Sequence, residues 1–172
     1  MSATVQTGSG YFFMPEHIIL VGASERPHSL GERIFSHLLG SSYQGKITPV
    51  NLRHSSVAGI PSYSSLSKIP GQADLVVAVI PPDHYDSLFK ACRKKDLHHI
   101  ILIQDWENLP PESCKNARST IQKHHGDELN ITVCNSAGIQ LPSLNLNIST
   151  QTDYPAGHIA LLTGHSTVSR NI

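Results

Sequence analysis

The sequence predicts an α/β fold: a Rossmann-like parallel sheet of about five to six strands with helices on both faces. Three observations predict it. Short apolar runs recur at residues 17–22, 46–51, 74–80, 99–104, 130–134 and 158–163. Segments with apolar residues at helical spacing separate several of them. The run at 74–80, "DLVVAVI", is apolar on both faces, as an interior parallel strand must be. Strands alternating with helices give a parallel sheet with right-handed crossovers.

The elements follow in order. "HIILVG" (17–22) is an apolar run ending in glycine, which suits a buried strand. Ser29 then opens a helix, and Ser29 with Glu32 has the S-x-x-E form of a capping box. Leu30, Ile34 and Leu38, with Phe35 and Leu39 beside them, form one apolar stripe, and Gly40 stands where a helix-ending glycine belongs. "KITPVN" (46–51) is a second strand weakened by Pro49, which donates no ladder bond. "SVAGIPSYSSLSKIPGQ" (56–72) reads as a long connection.

After the strand at 74–80, Pro82-Asp83 starts a second helix, with Tyr85, Leu88, Phe89 and Cys92 on one face and Arg93, Lys94 and Lys95 in its last turn. "HIILIQ" (99–104) is the next strand. Pro110-Pro111-Glu112 opens a third helix with Cys114, Ala117 and Ile121 inward and Gly126 at its end. "NITVC" (130–134) is the fifth strand. An Asn/Ser/Pro-rich stretch leads to "HIALLT" (158–163), a sixth apolar run, and "GHSTVSRNI" adds no further element.

Composition bounds the function. The 172 residues suffice for one domain with a real core. Thirteen Lys and Arg balance thirteen Asp and Glu, so the basic excess of a nucleic-acid binder is missing. No apolar run is long enough to span a bilayer. The N-terminal "MSATVQTGSG" lacks the basic and apolar regions of a signal peptide. Cys92, Cys114 and Cys134 are odd in number and widely spaced, which fits free thiols in a reducing cytoplasm. His98-His99 and His124-His125 are adjacent pairs, which is poor ligand geometry, so no metal site is expected.

Parallel sheets bind ligands beyond the carboxyl ends of their strands. Residues 22–24, 51–53, 80–82 and 103–105 therefore rim the candidate site. Gly22 permits a tight turn, and the helix behind it offers free N–H groups and a positive dipole end to an anion. Gly31 lies in the first turn, where a side chain would crowd a ligand. The dinucleotide fingerprint G-x-G-x-x-G is absent. A NAD site also wants an acidic residue at the end of the second strand, where this chain has Asn51-Leu52-Arg53. Arg53 instead favours a phosphate on the ribose, as in CoA or NADP.

Five segments in the same order resemble the CoA-binding domain of the succinyl-CoA synthetase alpha-subunit type: "IILVGASERPHSLG", "GKITPVNLR", "GIPSYSSLSKIP", "ADLVVAVIPP" and "HHIILIQ". The likeness is strongest to the ADP-forming acetyl-CoA synthetases and the bacterial protein lysine acetyltransferases that carry this region. The resemblance implies that Gly22, Ala23, Ser24, Ser29 and Gly31 hold CoA phosphates. It sets Val50, Asn51 and Arg53 at the adenosine end, Ile80 and Pro81 at the pantetheine side, and Gln104 at the end of the fourth strand. It implies coenzyme A or an acyl-CoA as the ligand, with NADP or another adenine nucleotide as the alternative.

The resemblance also implies an organisation: a polar extension over 1–15, the CoA-binding domain over 16–140, and over 141–172 a linker and the truncated start of a flavodoxin-like ligase domain. "NSAGI" (135–139) and "GHIALLTGHSTVS" (157–169) carry that part of the likeness. There are departures. Leu52 replaces the family's proline, and Gln104-Asp105-Trp106-Glu107 replaces S-A-G-F, putting negative charge where a thioester would pass. The family's phosphorylated histidine and its nucleotide-hydrolysing and acetyltransferase parts lie beyond the last residue.

No catalytic triad, carboxylate pair or metal set is spelled by the spacing. His165-Ser166 has no orienting carboxylate, the acids Asp83 and Asp86 are explained by a helix start, and Cys134 reads as a buried strand-end thiol. Trp106 can stack a base or cover the sheet edge. The expectation leans towards a binding chain: a ligand sensor, a regulatory module or a remnant of a larger synthetase or acetyltransferase. The alternatives are a subunit of a split acyl-CoA synthetase and a diverged, non-binding interaction module. Expected partners are a small-molecule nucleotide and either a second copy of the chain or a ligase-domain chain.

Overall fold

The computed structural model describes residues 14–126 and 128–157. The run "HIALLT" and the His165-Ser166 pair lie outside the described residues. Five parallel strands form the sheet: β1 (His17–Val21), β2 (Lys46–Val50), β5 (Leu75–Ala78), β6 (His99–Ile103) and β7 (Asn130–Cys134), side by side in the order β2-β1-β5-β6-β7.

A sixth position is filled by one residue. Tyr63 bridges Val50 in parallel beyond β2, its N–H donating to the Pro49 carbonyl (3.1 Å) and its carbonyl accepting from Asn51 N–H (3.0 Å). With Tyr63 counted, the order is the 3-2-1-4-5-6 of a doubly wound dinucleotide fold. Pro49 is tolerated because β2 is the last full strand, where one missing ladder donor costs little.

Alternation along each strand divides the core in two. Ile18, Leu20, Leu75, Val77, Ile101 and Ile103 face one side, where α1 (Leu30–Gly40) supplies Ile34, Phe35 and Leu38. Ile19, Val76, Ala78, Ile100 and Leu102 face the other, where α2 (Tyr85–Lys94) supplies Tyr85, Leu88, Phe89 and Cys92, and α3 (Pro111–His124) supplies Ala117. Helices thus cover both faces, and the central strand β5 is apolar and buried throughout because each of its faces meets a core, while the edge strands β2 and β7 carry polar and exposed residues.

Several local expectations change. Ser29 does cap α1, its Oγ accepting from Glu32 N–H at 3.2 Å. The return half of the capping box does not form: Ser29 N–H donates to the Arg26 carbonyl, and the Glu32 carboxylate accepts from Ser36 Oγ. Gly40 is the last helical residue and does not turn left-handed; Ser41 closes the helix, donating from N–H to the His37 carbonyl and from Oγ to the Leu38 carbonyl.

The "long connection" carries structure: a hairpin of β3 (Ser56–Val57) and β4 (Ile60–Pro61), then a single 3₁₀ turn at Leu66–Lys68. The Asn/Ser/Pro-rich stretch also folds, as the antiparallel pair β8 (Ile139–Leu141) and β9 (Leu146–Ile148). Leu146 and Ile148 are buried in the same core as α1. Residue 140 therefore lies within β8.

Between α2 and α3, the buried His124 links two helices. Its Nδ1 accepts from Arg93, and its Nε2–H donates to Asp86 at 2.9 Å. Among the described residues no helix is long and apolar enough to cross a membrane.

Candidate functional site

All four expected rim segments lie at the carboxyl ends of parallel strands, following β1, β2, β5 and β6 in turn. Gly22 sits at the switch point between β1 and β5. Its φ of 91° requires glycine, and a Cβ there would strike the Val79 carbonyl. Gly22 N–H donates to the Val50 carbonyl (3.1 Å), and Val79 N–H donates to the Val21 carbonyl (2.8 Å), so three strand ends are locked together.

Gly31 has a packing reason in the structure. It is buried, and a Cβ there would meet the Gly22 carbonyl. The missing side chain lets the first turn of α1 press against the β1 turn. Ser24 Oγ accepts from Arg26 N–H (3.0 Å) and Ser29 Oγ serves as the cap, bonds that fix both side chains and leave their O–H donors uncommitted among the described residues. The first turn of α1 adds N–H groups without intrahelical partners and the positive end of the helix dipole. Ala23 contributes a buried methyl to the core and its carbonyl to Asn51.

Asn51 is the knot of the site. Its side-chain N–H donates to the Ala23 carbonyl (2.8 Å), tying the end of β2 to the glycine loop. Its Oδ1 accepts from Arg53 N–H (2.8 Å) and His54 N–H (3.1 Å), shaping the turn that carries both. Val50 is a core residue that reaches the site only through its carbonyl. Arg53 lines an open cleft of about 300 Å³ with Asn51, His54, Ser62, Tyr63 and Lys68. Sequence reading stopped one residue short of His54, and it missed Ser62, Tyr63 and Lys68 because a loop of undefined course cannot be placed beside β2. No periodic pattern in 61–68 could have located them, because Tyr63 joins the sheet as a single bridged residue.

Ile80, Pro81 and Gln104 lie farther along the rim and do not line that cleft. Ile80 is half-buried against the α2 core, Pro81 is exposed, and Gln104 N–H donates to the Cys134 carbonyl (3.3 Å). Trp106 turns its indole N–H to the Cys134 carbonyl (2.9 Å) and meets Tyr85 edge-on. It covers the core beside β6 and β7. Burial raises the Cys134 thiol to about 11 and Cys92 to about 12, so neither is a thiolate at neutral pH. Asp86 is held well below the ordinary carboxylate range by Lys90 and His124. No group of three metal-ligating side chains converges among the described residues.

The family model described as CoA binding domain matches residues 16–140. The alpha subunit of ADP-forming acetate–CoA ligase II from Pyrococcus furiosus is 30% identical over 154 residues, covering 88% of this chain and 33% of that protein. A crystal structure from Pyrococcus horikoshii superposes with a TM-score of 0.69 at 25% identity, over 87% of this chain and 34% of the other. The dinucleotide-forming acetyl-coenzyme A synthetase 1 of Ca. Korarchaeum cryptofilum, in complex with phosphate and ADP, has the same fold, with a TM-score of 0.69 at 21% identity, over 84% of this chain and 31% of that one. The chain spans about a third of the length of these relatives.

Proposed function

Since the chain belongs to the CoA binding domain family, we propose that it binds coenzyme A or an acyl-CoA across the carboxyl ends of β2, β1 and β5. The glycine loop and the first turn of α1 receive the pyrophosphate, by backbone N–H and dipole. Asn51 and Arg53 hold the phosphorylated ribose, and Ile80 and Pro81 flank the pantetheine arm. The observation that carries this reading is the Asn51 side chain, which joins the glycine loop to the turn bearing Arg53 through hydrogen bonds of 2.8 Å on each side. An anion site and a cationic site are thereby held in fixed relation, as a long nucleotide with phosphates at two places requires.

In this reading the protein is a sensor or regulatory module of the acyl-CoA synthetase type. A second reading, a subunit of a split ligase, is favoured by one specific finding: the Pyrococcus furiosus relative is named as a subunit. A chain bearing the nucleotide-handling domains would then be its partner.

Calorimetry with CoA, NADP and ATP tests the ligand. CoA is expected to bind at least tenfold tighter than NADP, and Arg53→Ala to weaken CoA about tenfold. Absence of heat with millimolar CoA would sink the proposal. Co-purification with a ligase-domain chain separates the two roles.

A further inference from the structure

The cleft beside Asn51 contains a second cation. Lys68, at the end of the 3₁₀ turn, lines the same cleft as Arg53, together with Ser62, Tyr63 and Ser64, and no carboxylate lines it. Among the described residues neither Arg53 nor Lys68 has an ion-pair partner, whereas Lys90, Arg93 and Lys123 each do. The chain as a whole is neutral, so two uncompensated cations in one cleft of about 300 Å³ form a local excess.

The Lys68 ammonium and the Arg53 backbone are each held by a hydrogen bond. Lys68 Nζ donates to Ser64 Oγ at 2.9 Å, which restrains the ammonium without neutralising it. The turn that carries it is anchored by buried Leu66 and Ile69. The Arg53 backbone is fixed by its N–H bond to Asn51 Oδ1, which sets where the guanidinium stem leaves the turn. The buried Ser62 hydroxyl in the same wall has no hydrogen-bond partner.

We propose that Lys68 is a specificity-determining residue that closes with Arg53 on a phosphate monoester carried by the ligand's ribose, making the cleft selective for 3′-phosphorylated adenosine. A phosphate monoester carries close to two negative charges at neutral pH and several acceptor oxygens. It matches an Arg fork and a Lys point charge together better than a hydroxyl or a single carboxylate does. Leu52, 82% exposed at the lip of the same cleft, offers an apolar surface beside the charges, as a nucleoside needs. This inference rests on the CoA reading above and goes further, because it assigns ligand discrimination to a residue outside the glycine loop and the β2 turn.

The test uses calorimetry of the purified chain with CoA, 3′-dephospho-CoA and adenosine 3′,5′-bisphosphate. Wild type should take CoA about tenfold or more tighter than dephospho-CoA. Lys68→Gln, which keeps the stem and a donor for Ser64, should weaken CoA and the bisphosphate about tenfold and leave dephospho-CoA unchanged. Lys68→Arg should restore the preference. Circular dichroism melting checks that both variants are folded. Equal losses for CoA and dephospho-CoA, or no loss for CoA, overturn the role of Lys68. Wild type that takes both ligands equally overturns it too, while leaving CoA binding intact. Binding of none of the three overturns the CoA reading itself.

Discussion

Gly31 shows how much can rest on one absent methyl group. The α1 backbone approaches the Gly22 carbonyl so closely that any Cβ must displace backbone, on a turn already fixed by hydrogen bonds to β2 and β5. Gly31→Ala is therefore expected to destabilise the fold by about 1–3 kcal/mol, the usual cost of forcing a group into filled space. Urea unfolding followed by the single Trp106 measures it; a change within 0.5 kcal/mol would mean that α1 can slide. The same substitution shifts the helix end at the proposed phosphate site, so CoA affinity should fall with stability. At this scale Gly22 was legible in the sequence, since only a glycine suits a strand-to-helix turn at φ of 91°. The reason for Gly31 was not, because its neighbour is a carbonyl on another element.

At the scale of elements, the sheet strands and the three helices could be read directly. Their apolar residues recur at a period set by their own geometry, so pattern and burial coincide. The β8–β9 hairpin could not. Its strands have three residues each and include Gln140 and Asn147. Asn147 is buried only because its amide finds the Gln151 carbonyl and Asp153. The hairpin nevertheless lays Leu146 and Ile148 on the sheet face that α1 covers. Leu146→Ala should thus cost about 2–5 kcal/mol, as for any fully buried leucine. A cost below about 1 kcal/mol in chemical denaturation would show that the hairpin is an appendage.

Across the whole molecule, acid should weaken the fold in two windows. His17 and His99, at the starts of β1 and β6, have pKa values lowered chiefly by burial. His17 is satisfied as the neutral ring: its Nδ1–H donates to the Gln72 carbonyl (2.7 Å), and its Nε2 accepts from Thr48 Oγ1 (2.8 Å). Below the unfolded value of about 6.5, the unfolded chain takes up protons that the folded chain resists, so stability is full above that pH and falls as pH drops through it. Asp86, with its pKa lowered by Lys90 and His124, adds a separate loss below about pH 4. Unfolding midpoints between pH 7.5 and 5 should decline, and His17→Gln should flatten part of that decline. A flat wild-type profile over this range would contradict it.

The sequence by itself determined the α/β class, the order of strands and helices, and the carboxyl-end rim with its glycine loop and Arg53. It could do so because each depends on the period of a local apolar pattern or on the needs of one turn. Tertiary structure alone decided that Tyr63 takes the sixth place beside β2, that Asn51 binds the glycine loop to the Arg53 turn, and that Lys68 and Arg53 line one cleft. These are pairings between segments far apart along the chain or joined by irregular backbone. No periodicity encodes them; they exist only once the β3–β4 hairpin and the 3₁₀ turn have packed against the edge of the sheet.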